Sequence, residues 1–296
     1  IYGGAVWLRN KFFDWGILPS ESFQAPVICI GNLAVGGTGK TPHTEYLIRL
    51  LQQAGMQVSV LSRGYKRKTR GYLLADASST ASQIGDEPCQ MKQKFPQARI
   101  AVDADRREGI ARLLQLDHPP TDVILLDDAF QHRYVKAGLN ILLTDYRRLF
   151  TEDCLLPVGR LRESVSGKDR AQIVIVTKCP QDMKPIDFNI TEKQLGLYPY
   201  QQLYFTRIRY GMPVPLFPQE AEGQPISSVL SGEECVLLVT GIASPQPLME
   251  EVQLYARQVK LLPFADHHDF SDKDLQLIEE EFSQMEGCKR LIITTE

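Results

Sequence analysis

An apolar run, Val27-Ile28-Cys29-Ile30, leads through Gly31-Asn32-Leu33-Ala34-Val35 into Gly36-Gly37-Thr38-Gly39-Lys40-Thr41-Pro42, and Thr44 to Leu51 then carries apolar residues at helical spacing. A strand that enters a glycine-rich turn ending in Gly-Lys-Thr and leaves as a helix commits the chain to an α/β fold and to binding phosphate. Glycines let successive N–H groups converge on polyphosphate oxygens, and the helix presents its positive end. Lys40 reaches the terminal phosphates and Thr41 holds Mg²⁺. Gly36, Gly37, Thr38, Gly39, Lys40 and Thr41 are therefore the candidate contacts to a nucleoside triphosphate. Ala34 stands at the first position of the motif, where Gly is usual. A dinucleotide fingerprint does not fit, because no G-x-G-x-x-G can be laid on these glycines.

Further buried-strand runs follow at Val58 to Leu61, Ala98 to Val102, Val123 to Leu126, Asn140 to Leu143 and Ile173 to Val176, alternating with helical patterns. Alternation of this kind gives a mostly parallel sheet. The character changes between about 182 and 226, where prolines recur and Leu203 to Tyr210 alternates like a two-sided strand, which reads as a linker. A second α/β unit follows. It has a strand at Val236 to Val239, helices near Pro247 to Val259 and from Asp272 to Met285, and a strand at Leu291 to Thr294. With 296 residues, 43% hydrophobic and 23% charged, the chain can bury one large or two medium cores. A net charge of −3 carries no general attraction for polyanions, so nucleic acid is not an expected partner. The six cysteines are scattered with no C-x-x-C pair, which indicates neither a zinc site nor a disulfide framework.

No apolar run is long enough to span a bilayer. The first fifteen residues nevertheless hold both tryptophans, Trp7 and Trp15, and at helical spacing Ala5, Leu8, Phe12 and Trp15 share a stripe beside Arg9 and Lys11. Such a helix either packs on its own core or lies at a membrane interface.

Asp127 and Asp128 close the run Val123 to Leu126, the place where phosphate-loop proteins put a Mg²⁺-coordinating acid. Two adjacent acids at a buried strand end repel each other unless a cation joins them. Asp86 lies in the loop Ile84-Gly85-Asp86-Glu87-Pro88, which by itself is a turn. Ala265-Asp266-His267-His268-Asp269 lacks a spaced third metal ligand and by itself reads as polar loop.

The ordered series Gly31-Asn32-Leu33 with Gly36 to Pro42, Leu61-Ser62-Arg63-Gly64-Tyr65, Gly85-Asp86-Glu87-Pro88, Asp127-Asp128-Ala129-Phe130-Gln131-His132, Leu156 to Glu163, and Phe264-Ala265-Asp266-His267-His268 resembles the tetraacyldisaccharide 4'-kinases of lipid A synthesis. The resemblance covers nearly the whole chain. It implies ATP- and Mg²⁺-dependent phosphorylation of the 4'-hydroxyl of a tetraacyl disaccharide 1-phosphate, with no obligate protein partner. The place implied is the cytoplasmic face of the Gram-negative inner membrane. It also implies a phosphate-loop α/β/α domain with a mostly parallel sheet, joined by a two-stranded linker to a smaller α/β domain. The expected divisions are a membrane-surface helix at 1–20, a kinase core at 21–190, a linker at 191–230 and a second domain at 231–296.

By the same resemblance Lys40 and Thr41 match the phosphate and Mg²⁺ contacts, and Asp127 and Asp128 match the acidic pair at the metal. Asp86 is implied as the base toward the attacking hydroxyl. His267 is implied as the histidine paired with it from the other domain. Gln131, His132, Arg162 and Glu163 support the site. Ala34 and Ala129 depart from the family pattern without removing a reacting group. The family continues beyond Thr294-Thr295-Glu296, so the second domain is expected to be truncated, and the missing initiator Met points to a start inside the native chain. An acylated substrate stays in the bilayer, which favours the membrane-surface reading of the first helix. A nucleotide-switch GTPase is the alternative, since Val174 to Lys178 resembles the start of a guanine-reading loop. That loop needs an aspartate two residues after the lysine, and Pro180 stands there.

Overall fold

The computed structural model describes residues 2–116, 118–211, 215–216, 230–242, 244–265, 268, 270–286 and 289–295. Two units divide at Ile208 and Arg209. In the first, chain order runs α1 (Tyr2–Asp14), β1 (Val27–Asn32), α2 (Lys40–Gln53), β2 (Val58–Ser62), β3 (Leu73–Leu74), α3 (Ala81–Ile84) and α4 (Asp86–Lys94). It continues with β4 (Arg99–Val102), α5 (Arg106–Leu114), β5 (Val123–Asp127), β6 (Leu139–Asp145), β7 (Ile173–Thr177), α6 (Pro185–Leu195) and β8 (Gln202–Phe205).

These strands form one eight-stranded sheet in the order β3-β4-β2-β5-β1-β6-β7-β8, with every pairing parallel except that of β3 to β4. Alternate residues of a strand face opposite sides. Accordingly Ile124 and Leu126 join one core cluster while Val123 and Leu125 join the other, and neither side of the central strands meets water. That double burial is why these strands read as unbroken apolar runs rather than as alternating ones. Burying the four side chains Val123 to Leu126 contributes on the order of 6–12 kcal/mol gross, most of it offset by chain ordering. The apolar character stops at one rim. Asn32, Ser62, Asp127, Asp145 and Thr177 are the last residues of β1, β2, β5, β6 and β7, and Asp103 directly follows β4. All lie at the carboxyl edge of a parallel sheet, where α/β proteins bind ligands.

The second unit contains β9 (Cys235–Thr240), α7 (Gln246–Gln253), β10 (Gln258–Pro263), α8 (Asp272–Ser283) and β11 (Arg290–Thr294). Its three strands are parallel in the order β10-β9-β11. β9 is buried along its whole length, and Leu248 and Val252 of α7 pack with Val236 and Leu238.

Three expectations are corrected. The first unit extends to Ile208, so the boundary expected at 190 falls too early. α6 lies before it, and the segment read as a linker strand is β8, an edge strand parallel to β7, with Leu203 and Phe205 packed on the core and Tyr204 exposed. Residues 212–214 and 217–229 of the expected linker lie outside the described residues. The helix expected to run to Val259 ends at Gln253, and Gln258–Pro263 is a strand pairing in parallel with β9. Finally, Asp86 lies in no turn. Gly85 is the N-cap of α4, at φ 93°, and Asp86 is its first residue. Asp and Glu in a first turn, followed by Pro88, are a helix start, since acids suit the positive end and an early proline loses no intrahelical bond.

Candidate active site

The phosphate loop joins β1 to α2. Gly36 and Gly39 have φ of 111° and 82°, a backbone region that residues with a Cβ avoid. Gly39 is the N-cap of α2 and no side chain caps that helix, so its first N–H groups remain for a ligand. Ala34 is explained by its neighbours. It bridges Leu161 in antiparallel fashion, flanked by Val35 N to Arg160 O at 2.8 Å and Arg162 N to Leu33 O at 2.7 Å. Extended backbone of this kind needs no glycine. Asn32, fully buried, donates from Nδ2 to Thr38 Oγ1 at 2.7 Å and so ties the strand end to the loop.

Opposite the loop stand the two acids. Asp127 is buried and accepts from Thr44 Oγ1 at 3.1 Å and Ser62 Oγ at 3.3 Å. Burial, reinforced by the charges of Glu87 and Asp128, pushes its pKa up to about 7. Asp128 holds a left-handed backbone at φ 45° and receives two bonds from Arg162, at 2.7 Å on Oδ1 and 3.2 Å on Oδ2. Burial alone would raise its pKa. The Arg162 bonds and the charges of Lys40 and Arg162 outweigh burial and leave it below the usual carboxylate range. Lys40 Nζ lies 3.9 Å from Asp128 Oδ2.

Thr41 Oγ1 donates to Glu87 Oε1 at 2.9 Å, so the first turn of α4 meets the first turn of α2. Asp127, Asp128, Glu87 and the Thr41 hydroxyl are hard oxygen donors, and the raised pKa of Asp127 marks negative charge without enough compensation. Those donors fit Mg²⁺. Among the described residues no group of three or more His, Cys, Asp or Glu side chains is arranged to hold a metal by itself. This suits an ion that is bound through one or two carboxylates plus phosphate oxygens.

Arg162 also bonds Asn32 O at 3.0 Å and Asn32 Oδ1. Glu163, 1% exposed, accepts from Gln131 Nε2 at 2.8 Å and from Arg170 at 2.8 and 2.9 Å. Gln131 Nε2 also donates to Asn32 O at 2.8 Å, so Gln131, Arg162 and Glu163 fix the end of β1 as a unit. α1 reaches the same group: Asn10 Nδ2 donates to Glu163 Oε2 at 3.0 Å, Arg9 to Gln131 O at 3.0 Å, and Tyr2 OH to Arg162 O at 2.9 Å. Phe13 packs edge-on against Tyr134 at 4.9 Å. The expected stripe of Ala5, Leu8, Phe12 and Trp15 is not the face that packs. Leu8 and Trp15 are exposed, as is Trp7. His132 lies in the loop after Asp128 with Nε2 buried and without a hydrogen-bond partner among the described residues.

The structure thus brings Lys40, Thr41, Asp127, Asp128, Gln131, Arg162 and Glu163 together around one loop. Asp86 is exposed at the start of α4, one residue from the Glu87 that touches Thr41. His267 lies outside the described residues. Its neighbour His268 is engaged by Asp274 at 3.1 Å and stacks on Phe264. Residues that sequence reasoning left aside are Asn32, Thr44, Ser62, Glu87 and Arg170. Asn32 and Ser62 could have been found as polar residues ending buried apolar runs. Glu87 could have been found from the helix start it shares with Asp86.

The family model for tetraacyldisaccharide-1-P 4'-kinase matches residues 1–296. A tetraacyldisaccharide 4'-kinase from Bacteroides fragilis (strain YCH46) is 61% identical over 297 residues, covering 100% of this chain and 79% of the relative. The same-named protein of Porphyromonas gingivalis (strain W83) is 44% identical over 300 residues, covering 100% of this chain and 82% of the relative. Among solved structures, one described as the "apo" form of LpxK from Aquifex aeolicus in complex with ATP superposes with a TM-score of 0.71 at 30% identity. It spans 99% of this chain and 84% of that one.

Proposed function

The chain belongs to the tetraacyldisaccharide 4'-kinase family, and from that membership we propose how its residues transfer phosphate from ATP to the 4'-hydroxyl of a tetraacyl disaccharide 1-phosphate. The observation that carries the reading is the set of Lys40, Thr41, Asp127 and Asp128 facing an uncapped helix start beside a glycine loop. Phosphoryl transfer asks little covalent chemistry of a protein; it asks for positioning and for charge placed where charge develops. The loop N–H groups cradle the phosphates, and Lys40 leaves Asp128 for the transferring group. Arg162 keeps Asp128 in place as Lys40 moves. Thr41 and Asp127, with Asp128 beside them, are the residues that would hold Mg²⁺, which when bound neutralises charge on the phosphate oxygens. Asp86 is the proton acceptor for the attacking hydroxyl and His267 its partner in handling that proton. Gln131, His132 and Glu163 support the acids and the strand end.

The exposed face of α1, with Trp7, Leu8 and Trp15, supports a helix that lies on the membrane surface where an acylated substrate resides, at the cytoplasmic face of the inner membrane. Among the described residues no helix is long and apolar enough to cross a membrane. The test is direct: purified protein, ATP, Mg²⁺ and the lipid disaccharide 1-phosphate, with mass spectrometry showing one added phosphate. Asp86→Ala and His267→Ala should each lower kcat at least about a hundredfold with little change in the KM for ATP, on the usual worth of a positioned base. Transfer at the wild-type rate by both would remove the proposed proton route.

A further inference from the structure

Four successive carbonyls of the phosphate loop accept hydrogen bonds. Gly36 O accepts from Thr38 N at 3.0 Å, inside the loop. Gly37 O accepts from Lys178 Nζ. Thr38 O accepts from Thr177 Oγ1 at 2.9 Å, and Gly39 O accepts from His43 N at 3.3 Å and His43 Nδ1 at 2.7 Å. Since a carbonyl can only accept, the His43 proton is on Nδ1, and neutral Nε2 accepts from Thr206 Oγ1 at 3.0 Å. Two of the four partners are consecutive residues at the carboxyl end of β7. They belong to the run Val174 to Lys178, which looks like the start of a guanine-reading loop yet has Pro180 where the base-gripping acid would be. Guanine recognition does not account for Thr177 and Lys178.

Two features show that this turn is held to a purpose. Lys178 has a left-handed backbone, φ 56°, which a residue with a Cβ adopts only where the surroundings enforce it. Its Nζ is also paired with Asp145 Oδ2 at 3.1 Å, so its charge is compensated and its donors are directed at Asp145 and Gly37 O. Thr177, 1% exposed, splits its single hydroxyl proton between Thr38 O and Thr144 O at 3.2 Å. An anion-binding cradle works only when N–H groups point inward, and each peptide that points its N–H inward must point its carbonyl out, where it needs a donor.

We propose that Thr177 and Lys178 are positioning residues of the phosphate loop: by occupying the Thr38 and Gly37 carbonyls they hold the loop in its phosphate-accepting form before nucleotide arrives. The inference rests on the kinase reading above. A loop that spends less time in its accepting form binds nucleotide more weakly by that fraction, while the bound complex reacts as before. Loss of one such bond is expected to weaken binding about fivefold.

The test is calorimetric titration of the full chain with Mg-ATP and with Mg-tripolyphosphate, alongside steady-state kinetics, for Thr177→Val, Thr177→Ser, Lys178→Met and Lys178→Arg. Thr177→Val and Lys178→Met should weaken both ligands by about the same fivefold factor, raise the KM for ATP to match, and leave kcat within about twofold. Thr177→Ser keeps the donor and should bind as wild type, and Lys178→Arg should recover most of the loss. Wild-type affinity for ATP in Thr177→Val and Lys178→Met would overturn the proposal. So would weakened ATP with unchanged tripolyphosphate, because that pattern belongs to a contact with the nucleoside. Should Thr177→Val not fold, Lys178→Met at its partly exposed position decides by itself. A wild-type chain that bound no Mg-ATP would instead remove the kinase reading.

Discussion

His132 gives this protein a defined weakness to acid. Burial, aided by the positive charge of Arg106, holds its imidazole pKa down to about 4. Arg9 and Arg107 act in the same direction and Asp105 against them. In the unfolded chain the ring titrates near ~6.5. The folded form therefore binds fewer protons than the unfolded form between these values, and stability falls as pH falls through that window. Above about pH 6.5 both forms are neutral and nothing is lost, and below about 4 both are charged and the loss levels off. At pH 4.5 the two proton affinities differ by enough to cost, after solvent screening of a partly exposed ring, about 1–2 kcal/mol, a noticeable share of an ordinary domain's net stability. Urea or thermal unfolding of wild type and His132→Phe at pH 7.5 and 4.5 isolates the effect, because every other group titrates in both proteins and cancels in the difference. Wild type should lose about 1–2 kcal/mol more than the variant, roughly 2–8 °C in melting temperature. Parallel loss in the two proteins, or an imidazole that titrates above pH 6 by NMR, would refute the assignment of a partly buried, uncharged ring.

Gly31 near the end of β1 leaves no room for a methyl group, since a Cβ there would lie 2.7 Å from Phe130 Cβ and 3.0 Å from Phe130 N. Gly31→Ala should cost about 1–3 kcal/mol by overpacking and, by displacing the turn after Asp128, lower kcat; melting within a degree of wild type would contradict that close approach. Replacing Trp7 and Trp15 together by Ser should weaken binding to anionic phospholipid vesicles at least about tenfold with ATP affinity unchanged, as measured by co-sedimentation and titration, and unchanged co-sedimentation would remove α1 from the membrane surface.

What could be read in the amino acids, and what could not, follows from where information sits along the chain. β1, β5 and β7 were legible because both of their faces are buried and a short apolar run leaves few other options. The phosphate loop was legible because its chemistry fixes its residues. β10 was missed: Lys260 sits among Val259, Leu261 and Leu262, and the run follows helix α7 with only four residues between them, so it extended the helical pattern. β8 was seen as a strand but placed in a linker, since pairing with β7 is a long-range event that no local pattern records. Glu87 was passed over for a related reason. Its role comes from a contact with Thr41, 46 positions away, which only the packing of α4 on α2 creates. The stripe of α1 is legible as a pattern, but whether it packs on the core is not; in the fold Leu8 and Trp15 are exposed. Apolar periodicity reports that a helix has two sides and is silent about which one the protein keeps.

The rim at the carboxyl edge of the first sheet separates two kinds of mutational risk. Along the strands a substitution meets close-packed neighbours on both sides and is judged by whether the chain still folds. At Asn32, Asp127 and Thr177, just as buried, the side chains instead bond the phosphate loop and α2, so a change there is judged by how nucleotide is held. Chemistry in this protein is thus stored one residue deep, at the ends of strands whose lengths do the folding. A substitution in that row is therefore read first in nucleotide handling, while one a residue or two earlier in the same strand is read in stability.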